Sequence, residues 1–129
     1  MIVVDASIIV HLIADAAVDP NIVEIVRGAE KLVAPHLVDL EVLNVLRRKR
    51  QHNKIGKERV ELAFDDFMSI PIERLSTTHL NTRIWELCNN LTPYDASYIA
   101  LAESLDVSLL SRDAKMASAP LHRANIMIV

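Results

Sequence analysis

Thr92-Pro-Tyr-Asp-Ala-Ser-Tyr-Ile-Ala-Leu-Ala-Glu103 is the stretch on which the fold of this chain turns. It opens a helix, with Thr92 suited to the N-cap and Pro93 to the first helical position. Three, four and seven residues after Asp95 come Tyr98, Ile99 and Ala102, so Asp95 heads the face that should be buried. A carboxylate there needs a partner. One partner is local, because Asp95 can reach back as the acidic half of a capping box. The other would be distant, and depends on what the fold brings beside it.

Working outward, Ile2-Val3-Val4 is a short apolar run that ends at Asp5 and passes into Ala-Ser-Ile-Ile-Val-His-Leu-Ile-Ala at helical spacing. Asp19-Pro20 opens a second helix, which Gly28 closes. Strands follow at 31–34, 70–75, 107–111 and 125–129, and helices at about 36–52, 57–68, 78–88 and 93–105, with a short one after Asp113. Trp85 and Leu87 are core candidates of the 78–88 helix. Pro71 cannot donate to a central ladder, which argues for a sheet edge. Strands alternating with helices predict an α/β fold, a parallel sheet covered on both faces with right-handed crossovers.

In such sheets ligands bind beyond the carboxyl ends of the strands, where the winding reverses. Asp5 ends the first strand and Asp113 follows the strand that finishes at Ser111. Either would also serve as an N-cap. Glu41 is flanked at helical spacing by Leu37, Val38, Asn44 and Val45, three of them apolar, so it should face inward. That position calls for a countercharge, a metal or a neighbouring acid sharing a proton, a lysine or arginine from elsewhere being the ordinary alternative. Asp39, near the start of the same helix, suits the helix dipole. Brought to one rim, Asp5, Glu41, Asp95 and Asp113 would repel by about 4 kcal/mol per close pair. A hard divalent cation removes the conflict, and an all-oxygen donor set favours magnesium or manganese over zinc.

Four motifs in order, Val-Val-Asp5-Ala-Ser7, the run from Pro35 through Glu41 to Arg48, Thr92–Glu103 and Leu109-Leu-Ser-Arg-Asp113, make the chain resemble the PIN domain, specifically the VapC-type ribonuclease toxins of VapBC toxin–antitoxin pairs. The resemblance implies one PIN domain over residues 1–129, an α/β/α sandwich whose five parallel strands run in the order 3-2-1-4-5, with the Pro71 strand at the edge. It implies a metal-dependent endoribonuclease that leaves the phosphate on the downstream fragment. Asp5, Asp95 and Asp113 match the positions nearest the Mg2+ or Mn2+, Glu41 the one acting through water, and Ser7 and Ser111 the supporting hydroxyls. Met116, Ala117 and Ser118 supply none of the further acid some relatives carry, which bears on a second metal. A VapB-type antitoxin and a homodimer are implied too. The alternative is a non-catalytic PIN-like module that binds RNA or protein.

Composition agrees with this class. At 129 residues and 51% hydrophobic the chain suits one domain, and Cys88, its only cysteine, precludes an intrachain disulfide. With an N-terminus lacking a basic leader, a soluble cytoplasmic protein is expected. Seven of the fourteen basic residues lie between 47 and 59 with Glu58 the one acid among them, so that stretch carries +6 and the remainder −9 of the net −3. Arg47, Arg48, Lys49, Arg50, Lys54 and Lys57 thus offer an RNA backbone a basic ridge, although a solvated helix end has the same composition. A receiver domain needs an aspartate after the third strand, where Glu73-Arg74-Leu75 stands, and a dehalogenase-type phosphatase needs an aspartate where Ser7 stands. His11, His36, His52, His79 and His122 are scattered without a nucleophile elbow and read mostly as surface residues.

Overall fold

The computed structural model describes residues 1–52 and 56–129. Five strands, β1 (Ile2–Val4), β2 (Leu32–Pro35), β3 (Ile72–Leu75), β4 (Leu109–Ser111) and β5 (Ile126–Ile128), form one parallel sheet in the order β3-β2-β1-β4-β5. The three central strands are buried along their whole length, as continuous apolar runs require. Pro71 lies one residue before β3, and β3 is an edge, so the proline removes no ladder hydrogen bond.

The helices are α1 (Ala6–Ala14), α2 (Pro20–Gly28), α3 (Leu37–Gln51), α4 (Lys57–Ser69), α5 (Asn81–Leu87), α6 (Pro93–Leu105) and α7 (Ala114–Ser118). α1, α3 and α4 pack on one another, whereas α5 packs on α6, which lies across β1, β2 and β4. From β1 the winding runs one way to β2 and β3, and the other way to β4 and β5. Right-handed connections therefore put these two groups of helices on opposite faces. The reversal falls between β1 and β4, directly beyond Val4.

α6 is buried without interruption from Ala96 to Ala102. A helix apolar all round is one that is covered all round, and α6 has the sheet on one side and α5 on the other. The N-cap is as read, with Thr92 Oγ1 accepting from the Asp95 N–H at 3.2 Å and Pro93 at the first turn, but among the described residues the Asp95 carboxylate takes no bond from the Thr92 N–H, so the capping box is not completed. Asp106 closes it in the left-handed conformation, φ 53°.

Two readings need correction here. Trp85 is 79% exposed, because α5 meets α6 through Ile84 and Leu87, one turn apart, and Trp85 falls off that face. Asp39 does more than complement the helix dipole: Arg74 of β3 donates to it from Nε at 3.0 Å and Nη2 at 2.8 Å. Cys88 packs against the core.

Urea denaturation tests this packing. Ile99→Ala, at a fully buried site, should cost about 3 kcal/mol, and Trp85→Ala less than about 0.5 kcal/mol; equal losses would contradict the assignment of Trp85 to the surface.

Candidate functional site

Because every strand points the same way, the segments leaving their carboxyl ends share one rim. Asp5 leaves β1 at the reversal of winding and is 2% exposed. Its Oδ1 accepts from the Ser7 hydroxyl at 2.5 Å and the Ile8 N–H at 3.2 Å, and its Oδ2 from the Ser111 hydroxyl at 2.5 Å. Each serine is itself fed by a main-chain amide: the Arg112 N–H donates to Ser7 Oγ and the Asp113 N–H to Ser111 Oγ, both at 3.0 Å. Two amide–hydroxyl–carboxylate chains thus converge on one side chain, and each bond polarises the next.

Asp113 caps α7, its Oδ1 accepting from the Lys115 N–H at 2.9 Å. Asp5 caps α1 through Ile8. The capping reading is therefore true of both residues, and it leaves each with lone pairs to spare.

Glu41, in the second turn of α3, is half-buried between the buried Val38 and Val42. Its partner is neither lysine nor arginine but the hydroxyl of Tyr98, which donates to Oε1 at 2.6 Å. Tyr98 is the functional residue that sequence reasoning missed. Its apolar position on α6 hid a hydroxyl aimed at α3, and a buried tyrosine's need for an acceptor was the available signal. Burial and the Glu41 bond push its own ionisation far above the ordinary range.

Three of the four acids are displaced upward from the ordinary carboxylate range. Asp5 is raised by burial, against the pull of the Ser111 and Ser7 hydroxyls. Burial raises Glu41 despite Tyr98, and the charges of Asp95 and Asp5 add to it. Asp95 is raised by burial and then by Asp113 and Asp5, with the Thr92 hydroxyl and Lys115 opposing. Among the described residues none of the four forms a salt bridge. Among the same residues, no three Asp, Glu, His or Cys side chains are gathered tightly enough to chelate an ion as they stand. The charges of Asp95 and Asp5 reach Glu41, and those of Asp113 and Asp5 reach Asp95, as neighbours along one rim do, at separations wider than direct chelation by three side chains. An oxygen-only set with this looseness fits a magnesium-like ion, which keeps several of its waters and binds through one or two carboxylates.

A groove of about 440 Å³ opens beside the rim, lined by Ser7, Glu41, Asn44, Arg48 and Arg112 among others. A larger hollow of about 700 Å³ near Ser108 and Asn125 lies at the opposite ends of the strands and holds none of the four acids. Of the basic ridge, Arg48 lines the acid groove, whereas Arg47 and Arg50 flank a cleft between α3 and α4. Lys49 lies beside His52, and Lys57 is exposed at the start of α4. Lys54 lies outside the described residues. Arg59 turns inward and donates to the Ile13 carbonyl at 2.7 Å. His11 is no surface residue: it is 5% exposed and hydrogen-bonded at both ring nitrogens.

Comparison with known proteins bears on this arrangement. Residues 2–120 match the family model described as PIN domain. The chain is 34% identical to VapC ribonuclease Mb0985 of Mycobacterium bovis, over all of this chain and 98% of that protein. It is 35% identical to ribonuclease VapC1 of Mycobacterium tuberculosis, over 92% of this chain and 90% of that one. The fold superimposes on VapBC2 from Rickettsia felis, solved with a DNA fragment from its promoter, with a TM-score of 0.70 at 15% identity, covering 99% of this chain and 98% of that one. No helix among the described residues is long and apolar enough to cross a membrane.

The raised carboxylates fix a sign for stability. A carboxyl whose folded value is raised contributes stability that is complete below its unfolded value, near 3.8 for Asp95, and is lost as pH rises through the folded value. In chelator at neutral pH, Asp95→Asn should therefore melt a few degrees above the parent, with the gap closing as pH falls below the ordinary aspartate range. Added magnesium should raise the Tm of the parent more than that of Asp95→Asn. Thermal melts in which the variant is the less stable at neutral pH would contradict the coupling.

Proposed function

The chain belongs to the PIN-domain family, and from that premise we propose that it is a divalent-metal-dependent endoribonuclease, the toxin of a VapBC-type pair. The observation that supports this reading is that Asp5, Glu41, Asp95 and Asp113 lie along one rim, the charges of Asp5 and Asp95 acting on Glu41 and those of Asp5 and Asp113 on Asp95, with no salt bridge to any of the four among the described residues. A site built only to bind a polyanion has no use for four carboxylates. The full-length similarity to proteins named VapC ribonucleases supports RNA as the substrate class.

In this reading Asp5, Asp95 and Asp113 hold Mg2+ or Mn2+, directly or through its waters, and Glu41 acts through water. When bound, such an ion lowers the pKa of an attacking water and stabilises charge on the scissile phosphate. Hydrolysis then needs no side-chain nucleophile. Ser7 and Ser111 keep the Asp5 carboxylate in one orientation, so it cannot swing away from its neighbours. Tyr98 does the same for Glu41, and holds an oxygen that would otherwise point freely into the groove. Arg48 and the rest of the ridge, Arg47, Lys49, Arg50, Lys54 and Lys57, supply cations for the RNA backbone, whose single-stranded loops are the expected target. Such a toxin works as a homodimer with a cognate antitoxin, whose arginine is a natural occupant of an acid groove.

Incubating the purified protein with a mixed RNA pool over a magnesium titration tests the proposal. Cleavage should appear with the metal and vanish in chelator. Outer-shell losses alone cost about 10–100-fold in such sites, so Tyr98→Phe should lose about 10-fold and Asp95→Asn more than about 100-fold. Absence of metal-dependent cleavage, with Asp95→Asn indistinguishable from the parent, would leave a binding module instead.

A further inference from the structure

The residues His11, Asp15 and Arg112 form a cluster that the chemistry above does not use. His11 lies in the middle of α1 among Ile8, Ile9 and Ile13, all buried. A ring in that position must find partners. Its Nε2 accepts from the Asp19 N–H at 2.9 Å, so the ring proton is assigned to Nδ1, which donates to Asp15 Oδ2 at 2.5 Å. The imidazole is thus a strut between the segment after α1 and the Asp15 carboxylate. Asp15 in turn receives Arg112 Nη1 at 3.3 Å, so one carboxylate oxygen accepts from both the imidazole and the guanidinium.

Arg112 is held at its other end as well, because its main-chain N–H donates to Ser7 Oγ, the hydroxyl that donates to Asp5. Its guanidinium lines the same groove as Glu41 and Arg48 and is partly exposed. Among the described residues the guanidinium donates only from Nη1, to Asp15, so the edge formed by Nε and Nη2 has no protein acceptor. That edge is the one a guanidinium offers to two oxygens of a phosphate. An exposed ion pair contributes only about 0–1 kcal/mol, which does not account for a buried histidine placed behind it.

We infer that Arg112 grips a backbone phosphate of the RNA in this groove, and that Asp15 and His11 are positioning residues that fix its guanidinium. The substrate class rests on the nuclease reading; the phosphate contact is tested apart from it. Fluorescence anisotropy with a short polyuridine probe in chelator reads binding without cleavage. Arg112→Met should weaken binding and lower the slope of log K against log salt by about 0.7, the value for one phosphate contact on a single strand. Arg27→Met, which removes the same charge beside the opposite ends of β2 and β3, should leave the slope at the parental value.

Under cleavage conditions Asp15→Asn should raise KM several-fold with kcat retained, and should add nothing in an Arg112→Met background. A merely structural pair would not give that split or that non-additivity. An unchanged slope in Arg112→Met, a full additive loss in the double variant, or no RNA binding by the parent protein would each overturn the inference. Failure of metal-dependent cleavage alone bears on the nuclease reading, since the anisotropy is read without metal.

Discussion

Carboxylates crowded at the end of a parallel sheet are the constraint around which this protein is arranged. Two unit charges 4 Å apart at a protein surface repel by about 4 kcal/mol, a large fraction of the 5–15 kcal/mol that about any domain has in hand. Asp5 is almost wholly withdrawn from water, and the chain answers with hydroxyls rather than cations. Ser7 and Ser111 give Asp5 neutral donors whose own oxygens are satisfied by main-chain amides. Such donors stabilise a negative charge without cancelling it, so the rim keeps its attraction for an external cation.

The helix that completes the rim also anchors the core. α6 is enclosed from Ala96 to Ala102, and its two ends of influence are Asp95 at the N-terminus and Tyr98 one turn on. Tyr98 is 1% exposed, so its ring is packing, while its hydroxyl fixes Glu41 across the sheet edge. Core and site are therefore one object here: the positions of Asp95 and Glu41 are set by a helix that cannot shift without disturbing β1, β2 and β4. That rigidity is what a site of loosely spaced carboxylates needs.

What the sequence made legible was whatever is encoded in local order. The alternation of strands and helices, the edge position of β3 and the cap at Thr92 follow from periodicity and turn residues, and the strand order from the resemblance to the PIN domain. What stayed hidden is pairing between side chains remote in the chain. Tyr98 and Glu41 are 57 residues apart, Arg74 and Asp39 are 35, and Arg59 reaches Ile13 across 46. No helical or strand period predicts such partners. His11 looked like a solitary polar residue because its partners, Asp15 and the Asp19 amide, come from a helix end and a loop. Trp85 was misjudged on hydrophobicity alone, although α5 needs only one narrow face to dock on α6.

The central claim is that four acids distant in sequence act together on one cation. The most direct measurement is the paramagnetic broadening of backbone amide resonances by substoichiometric Mn2+. The account predicts that the amides next to Asp5, Glu41, Asp95 and Asp113 broaden together at the same low Mn2+ level, ahead of those beside exposed acids such as Glu58 or Asp65. Broadening that reaches these four at different Mn2+ levels, or no sooner than the exposed acids, would contradict it.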